Sequence, residues 1–143
     1  MPNPRKLKGD EYERQISKYI NFHTGLNSSR APLSGGGAQF KVGNDTAGSA
    51  DILGVPYIWP ECKRTERFEP YKAMAQAMRG VAAKKNCEFP TVFTRRNYMD
   101  TDHSLVVMLL KDWMQLYKAF LTLNPHQTIT HISQDDLPPP SQP

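Results

Sequence analysis

The sequence contains little cysteine and no long apolar run. Its two cysteines, Cys62 and Cys87, lie far apart and form no C-x-x-C pair. This argues against a metal–thiolate site or a disulfide framework and fits a reduced, cytoplasmic setting. No run of about 18 apolar residues occurs, so we expect no membrane-spanning segment. The first residues are charged without an apolar stretch, so we expect no secretory signal.

Motifs of several common enzyme classes are also missing. The glycine-rich segment 35–48 contains neither a G-K-[ST] phosphate loop nor G-x-G-x-x-G, so no nucleotide cofactor is expected. The four histidines form no H-x-x-x-H or H-E-x-x-H pair, and we assign none of them to a metal or to catalysis.

The basic residues are concentrated in two segments of a chain whose net charge is +4. Residues 1–30 carry six basic and three acidic groups, and residues 61–100 carry nine basic and five acidic groups. The folded part is therefore more basic than the whole chain, because the end of the chain adds only acids. Such a surface suits a phosphate backbone, and a merely solvated basic surface is the alternative.

Apolar periodicity predicts one α/β domain with a central mixed β-sheet flanked by helices. Residues 1–7 are expected to form a flexible basic arm, residues 8–123 the folded domain, and residues 124–143 a disordered tail. The predicted order is α-β-β-β-α-β-(β)-α, with a final edge strand and helix. The predicted elements are a helix from about 8–10 to 22, strands within 27–34, 50–55 and 57–64, a helix at 69–85, strands at 89–96 and 104–108, and a helix at 109–121.

Two acids and a lysine stand at D-x9-E-x-K spacing around the middle strands. Successive side chains of a strand alternate between faces, so Glu61 and Lys63 share one face while Cys62 points to the other. If segments 50–55 and 57–64 pair, Asp51 lies beside Glu61. Two carboxylates can hold Mg²⁺ or Mn²⁺, with the backbone carbonyl of Cys62 as a third ligand. Lys63 can then orient or deprotonate a water, as metal-assisted phosphodiester hydrolysis requires. The alternative is a pair of surface carboxylates with Lys63 as their salt-bridge partner.

Two further side chains are placed by helix geometry. At about 100° per residue, Glu13 and Ile20 lie within ~20° of each other, so Glu13 faces the core while Glu11 faces solvent. A buried acid is unfavourable unless it is paired or near a cation, which makes Glu13 a third carboxylate of the site or the partner of a basic neighbour. Gln76 lies on a narrow face of the second predicted helix. Its amide can hold Lys63 or a water on the metal, and an ordinary exposed glutamine is the alternative.

The ordered set of motifs resembles the PD-(D/E)xK nuclease superfamily, in particular the archaeal-type Holliday-junction resolvases and their phage relatives. The resemblance covers roughly residues 9–117, and Ala50 stands where the family usually has proline. It includes Gly9-x-x-Tyr12-Glu13-Arg14, Ser29 to Gly35, Asp51-Ile52, Glu61-Cys62-Lys63-Arg64, Gln76 and Thr94-Arg95-Arg96-Asn97.

The resemblance implies a restriction-endonuclease-like core and a metal-dependent DNA endonuclease that resolves branched DNA such as Holliday junctions. It also implies a homodimer, because a junction needs two cuts, and a role for Ser34 beside the other catalytic residues. The small size would suit a virus or mobile element acting in the cytoplasm of a bacterium or a phage-infected host. The residues that it implies for catalysis are Glu13, Ser34, Asp51, Glu61, Lys63 and Gln76.

Basic side chains around these motifs are predicted to contact phosphates and position the duplex without reading its sequence. A nuclease of the same superfamily that cuts ordinary duplex, flaps or single strands remains an alternative. So do a non-catalytic DNA-binding accessory protein with a nuclease-like core and an unrelated α/β protein with a chance motif. The predicted phosphate contacts are Arg30, Lys41, Arg64, Arg67, Arg95 and Arg96.

Overall fold

The computed structural model describes residues 3–32, 50–84, 88–124 and 132–138 and has an α/β fold. The chain divides into two compact units, Met1–Leu109 and Leu110–Pro143. Helices and strands follow one another in the predicted order. Across the described residues, three α-helices and five strands occur: α1 Pro4–Thr24, β1 Ser29–Arg30, β2 Ile52–Leu53, β3 Ile58–Arg64, α2 Pro70–Lys84, β4 Phe89–Arg95, β5 Leu105–Val107 and α3 Leu110–Leu123.

The first helix begins earlier than apolar periodicity indicated. Asn3 is its N-cap, with a side-chain oxygen that accepts a hydrogen bond from the N–H of Arg5 at 3.0 Å, and Pro4 occupies the first helical position. Both residue types are favoured at these positions. Residues 4–7, predicted as part of a flexible basic arm, therefore belong to α1. The helix ends at Gly25, whose positive φ of 75° lets its N–H reach the carbonyl of Asn21.

The strands form two small sheets. In the three-stranded sheet, β3 and β4 are parallel and β5 runs antiparallel beside β4. Helix α2 connects the two parallel strands, because parallel neighbours need a crossover that a hairpin cannot provide. The remaining strands, β1 and β2, pair with each other antiparallel in a second sheet of two strands.

The predicted pairing of segment 50–55 with segment 57–64 in one ladder is wrong. Asp51 makes one backbone bond to β3, in which its N–H donates to the carbonyl of Pro60 at 3.0 Å, and β2 then pairs with β1. Proline has no N–H to return a bond on that side of β3. The next N–H on that side, at Cys62, donates to the carboxylate of Asp51 at 2.8 Å. A side chain thus takes the acceptor position that a longer ladder would give to the backbone.

Helices α1 and α2 pack on opposite faces of β3. Trp59 belongs to a buried cluster with side chains of α2, whereas Cys62 belongs to a cluster with side chains of α1. This division follows from strand alternation, because residues 59 and 62 differ in parity. Glu61 and Lys63 share the face of Trp59 and therefore lie on the side of α2.

Helix α3 belongs to the second unit and is amphipathic. The rings of Trp113 and Tyr117 are stacked with their centroids 5.1 Å apart. No helix within the described residues is long and apolar enough to cross a membrane. The large apolar side chains that α3 leaves exposed are Leu110, Trp113, Met114, Leu116, Tyr117, Phe120, Leu121 and Leu123.

Candidate active site

The carboxylates of Asp51 and Glu61 lie near each other at the flank of β3. Asp51 stands immediately before β2, where its backbone bond to Pro60 and the bond from the N–H of Cys62 to its Oδ2 fix its position. Burial, and then repulsion from Glu61, raise the pKa of Asp51 to about 7. The two acids are therefore close enough for each charge to disfavour the other.

Lys63 is held between Glu61 and helix α2. Its Nζ lies 3.6 Å from Oε1 of Glu61 and donates a hydrogen bond of 2.9 Å to Oε1 of Gln76. Glu61 is 5% exposed, and burial raises its pKa although Lys63 acts in the opposite direction. Glu61 and Lys63 share one face of β3, as strand alternation predicts. Of the alternatives for Gln76, the structure shows the contact with Lys63, made by a glutamine that is itself exposed.

Glu13 points inward from α1 but is paired with an arginine. It is 7% exposed whereas Glu11 is exposed, so the helical geometry predicted its direction correctly. Its Oε2 accepts a hydrogen bond of 2.6 Å from Nε of Arg30, whose Nη2 donates to Oδ1 of Asp10 at 2.6 Å. Although burial acts in the opposite direction, these two bonds raise the pKa of Arg30.

Arg30 therefore faces inward and joins the acidic site. It was predicted to contact phosphate, but two carboxylates already engage its guanidinium. Glu13 still lies near enough to Glu61 for its charge to help raise the pKa of Glu61. Sequence reasoning missed Asp10, although Asp10 and Glu13 are three residues apart on α1 and thus on one face of the helix.

Asp51 and Glu61 are the two predicted metal ligands whose carboxylates the structure places beside each other. Within residues 3–32, 50–84, 88–124 and 132–138, no three His, Cys, Asp or Glu side chains are grouped to hold a metal. Mg²⁺, however, commonly takes only one or two carboxylates, with waters and phosphates completing its shell. Two buried, mutually repelling carboxylates are unfavourable without added positive charge, which a cation would supply. The carbonyl of Cys62 lies on the Asp51 side of β3, because the N–H and C=O of a strand residue point the same way.

Arg95 is a structural residue, which corrects the phosphate contact predicted for it. It is 7% exposed, and its guanidinium donates to the carbonyl of Met99 at 2.9 Å and to the side chain of Gln15 at 2.6 Å. The guanidinium also lies 5.2 Å from the centroid of the Tyr12 ring. Arg95 thus fastens the end of β4 to α1 instead of reaching solvent.

The other predicted residues fall into two groups. Arg67 and Arg96 are exposed, whereas Arg64 is half-buried, and the Nε of its guanidinium is shielded from solvent. Ser34 and Lys41 lie outside the described residues, and the roles predicted for them stay predictions.

Comparisons with protein families, with curated proteins and with solved structures find no match for this chain. The site itself brings together a repelling pair of acids, a lysine beside them and an amide that holds the lysine.

Replacing Asp51 by asparagine is expected to stabilise the metal-free protein at pH 8. Folding raises the pKa of Asp51 from 3.8 to about 7. Below about pH 4 the carboxyl is protonated in both the folded and the unfolded state and lowers the stability of neither. As the pH rises to about 7, the unfolded state ionises more easily than the folded state, so the protein loses stability. Asparagine stays uncharged and can still accept the N–H of Cys62. We expect the substitution to raise the free energy of unfolding by about 2 kcal/mol, which is less than the ~4 kcal/mol that a shift of three pKa units represents. Urea unfolding in EDTA at pH 5 and pH 8 measures it, and equal stability of Asp51→Asn and the unchanged protein at pH 8 would contradict it.

Proposed function

We propose that this protein is a metal-dependent DNA endonuclease that hydrolyses phosphodiester bonds in branched DNA. The observation that carries the proposal is the pair of buried, mutually repelling carboxylates, Asp51 and Glu61, beside an ammonium held by Gln76. Acids of like charge kept together in a site are a common mark of function, because folding alone gains nothing from their repulsion. The basic character of the chain, at +4, supports a polyanionic substrate.

Each residue of the site has a distinct task in this proposal. Asp51 and Glu61 hold the divalent cation, Mg²⁺ or Mn²⁺, together with the carbonyl of Cys62. When bound, such an ion neutralises charge on the scissile phosphate and lowers the pKa of a water. Lys63 donates a hydrogen bond to a phosphate oxygen or to the attacking water, which stabilises the negative charge that develops during attack. Gln76 keeps the ammonium of Lys63 in place by accepting one of its three donors.

The acids on α1 act around this centre. Glu13 stands near Glu61, and its pairing with Arg30 reduces the repulsion that a third free carboxylate would add. In the proposal, Glu13 orients a water or helps to bind a second ion.

Assignment to the PD-(D/E)xK superfamily, with a restriction-endonuclease-like core, belongs to the same proposal. The arrangement of β3, α2 and β4 supports it, because Glu61 and Lys63 lie on β3 and Gln76 lies on the helix that follows. The early acid on α1 and the aspartate before β2 complete the motif in the order typical of archaeal-type resolvases.

A junction substrate requires two cuts, and we propose a two-fold homodimer that supplies two sites. Isologous pairing is the commonest form of assembly, and a contiguous exposed apolar face is the usual mark of an interface. Helix α3 carries such a face, which includes Trp113 and Tyr117. Light scattering at working concentration is expected to give twice the mass of one 16.2 kDa chain.

Digestion of three DNA substrates tests the function directly. A four-way junction, a flap and a linear duplex of matched length are each incubated with Mg²⁺ and, in parallel, with EDTA. We expect cutting only with Mg²⁺, and of the junction in preference to the other two. Equal cutting of all three would reject the preference for branches and keep the nuclease. Binding of the junction without cutting of any substrate would favour the non-catalytic accessory protein.

A further inference from the structure

A basic cleft lies apart from the carboxylate site, between the start of α1 and the segments that follow β3 and β4. Its volume is about 530 Å³, which is within the range of pockets that bind small ligands. Residues from three parts of the chain line this basic cleft: Arg5, Lys8, Arg64, Thr65, Glu66, Arg67 and Asn97.

The basic cleft lies at the carboxyl ends of the two parallel strands. Arg64 is the last residue of β3, segment 65–67 follows it, and Asn97 comes two residues after the end of β4. Ligands of open α/β sheets generally bind outside this edge. Arg64 and Lys63 are neighbours in sequence, so their side chains leave β3 on opposite faces. The basic cleft is therefore built on the α1 face, whereas Lys63 serves the α2 face.

The charges in the basic cleft are not balanced from within the protein. Four cationic side chains line it against one acid, Glu66, whose Oε1 accepts the N–H of Asn97 at 2.7 Å. Among the described residues, no carboxylate forms an ion pair with any of these four cations. Nε of Arg64 is buried and has no hydrogen-bond partner in the part of the chain that is described. Nearby, Arg64 also contributes, after burial, to lowering the pKa of Arg95.

Grouped cations without carboxylate partners indicate an anionic ligand. Like charges held together are unfavourable, and a bound anion would relieve their repulsion. Three of the four cations are arginines, whose planar forks engage phosphate oxygens two at a time. Thr65 and Asn97 are the neutral residues of the lining, and hydrogen bonds to Arg67 and Glu66 respectively hold them in place.

A smaller cavity of about 160 Å³ adjoins the basic cleft, with which it shares Thr65 and Arg67. Lys63 and Gln76 also line this smaller cavity. A strand whose reacting phosphate lies at Lys63 would therefore reach the basic cleft by crossing residues 65–67.

We propose that the basic cleft binds a backbone phosphate that neighbours the scissile phosphate on the same DNA strand. This contact fixes the position of the strand on the enzyme. The proposal rests on the endonuclease function and extends it to a second subsite. Arg5 and Lys8 become DNA contacts, because α1 begins at Pro4 and holds them three residues apart on one face. The phosphate enters between these two side chains and Arg64, all of which line the basic cleft.

Binding in EDTA tests the subsite without requiring cleavage. The probe is a fluorescent 30-base-pair duplex, titrated by anisotropy at several salt concentrations with the whole chain and with the double variant Arg5→Ala/Lys8→Ala. Both side chains are exposed, so the fold should persist, which a melting curve checks. We expect affinity to fall about 10- to 100-fold and the slope of log K against log salt to become shallower by about one to two.

A matched variant separates the subsite from general loss of charge. Arg14→Ala/Lys18→Ala removes two exposed cations from the same helix, outside the basic cleft, and is expected to lower affinity less than about threefold. A large loss confined to the Arg5/Lys8 variant supports the subsite even if the unchanged protein fails to cut DNA, which would remove only the proposed hydrolysis. Equal losses in both variants, or none in either, would overturn the subsite even if Mg²⁺-dependent cutting is intact.

Discussion

Asp51→Asn and Glu61→Gln are each expected to lower the rate of DNA cutting at least ~10³-fold and to leave DNA binding in place. Each variant removes one of the two carboxylates that we propose as ligands of the cation. Losing about 4 kcal/mol of transition-state stabilisation corresponds to a factor of roughly 10³. Affinity for DNA should be unchanged or higher, because each substitution removes a negative charge that repels phosphate. Single-turnover cutting with Mg²⁺ and anisotropy binding in EDTA measure the two effects separately.

Glu11→Gln is the matched control for these variants. Glu11 lies two residues before Glu13 on α1, but its side chain is exposed and forms an ion pair with Arg14 at 3.5 Å. The Glu11→Gln variant loses one negative charge, as the other two variants do, and should cut DNA at the rate of the unchanged protein. If Asp51→Asn shows the expected gain in stability, unfolding is excluded as the cause of its lost activity. Full cutting by both Asp51→Asn and Glu61→Gln would remove these acids from the mechanism.

The side of β3 on which each residue lies was predictable because it needs only the strand itself. Alternation places Glu61 and Lys63 together for any register of the neighbouring strands. The inward direction of Glu13 was predictable for a similar reason, since seven residues bring a helix back to nearly the same face. Helical spacing placed Gln76 on the narrow face of α2, but which partner its amide contacts was settled only by the packing of α2 against β3.

The partners of the arginines depend on tertiary packing and could not be read from local pattern. Arg30 meets Asp10 and Glu13 across 20 and 17 residues, where the approach of β1 to α1 decides which acid it reaches. Arg95 likewise spans 80 residues to Gln15, so its burial depends on α1 covering the end of β4. A terminal arginine on a strand looks the same in sequence whether a helix covers it or solvent does.

The early start of α1 had a local signal that apolar periodicity did not capture. Asn3 is favoured as an N-cap and Pro4 at the first helical position, and neither preference depends on a buried apolar face. The apolar side chains that show helical spacing begin only later in α1. The consequence is functional, because a helical rather than flexible segment gives Arg5 and Lys8 fixed positions beside Arg64. The truncated pairing of β2 has a comparable local cause in Pro60, which cannot donate to a ladder.

Gly80→Ala is expected to destabilise the fold by about 2 kcal/mol and to impair the site as well. A Cβ at Gly80 would stand 2.5 Å from Cζ2 and 2.6 Å from Cε2 of Trp59, whose ring is buried among side chains of α2 and β4. Overpacking typically costs about 1–3 kcal/mol, which exceeds the roughly 0.5–1 kcal/mol that alanine gains over glycine in a helix. Gln76 lies one turn before Gly80, so pushing α2 away from β3 also lengthens its contact with Lys63. Urea unfolding measures the first effect and single-turnover cutting the second.

Two further variants isolate the contact between helix and indole. Gly9→Ala, in α1, adds a Cβ with no atom within 4 Å and should stabilise the protein by about 0.5–1 kcal/mol, so a general effect of removing glycine would appear there too. Trp59→Phe deletes the indole atoms that the new Cβ meets, although it leaves a cavity of its own. In the double variant Trp59→Phe/Gly80→Ala, we expect the new methyl group to occupy the space left by the indole. The double variant should therefore lose less stability than the sum of the losses in the two single variants. Strictly additive losses would mean that Gly80 is needed for some reason other than its close approach to Trp59.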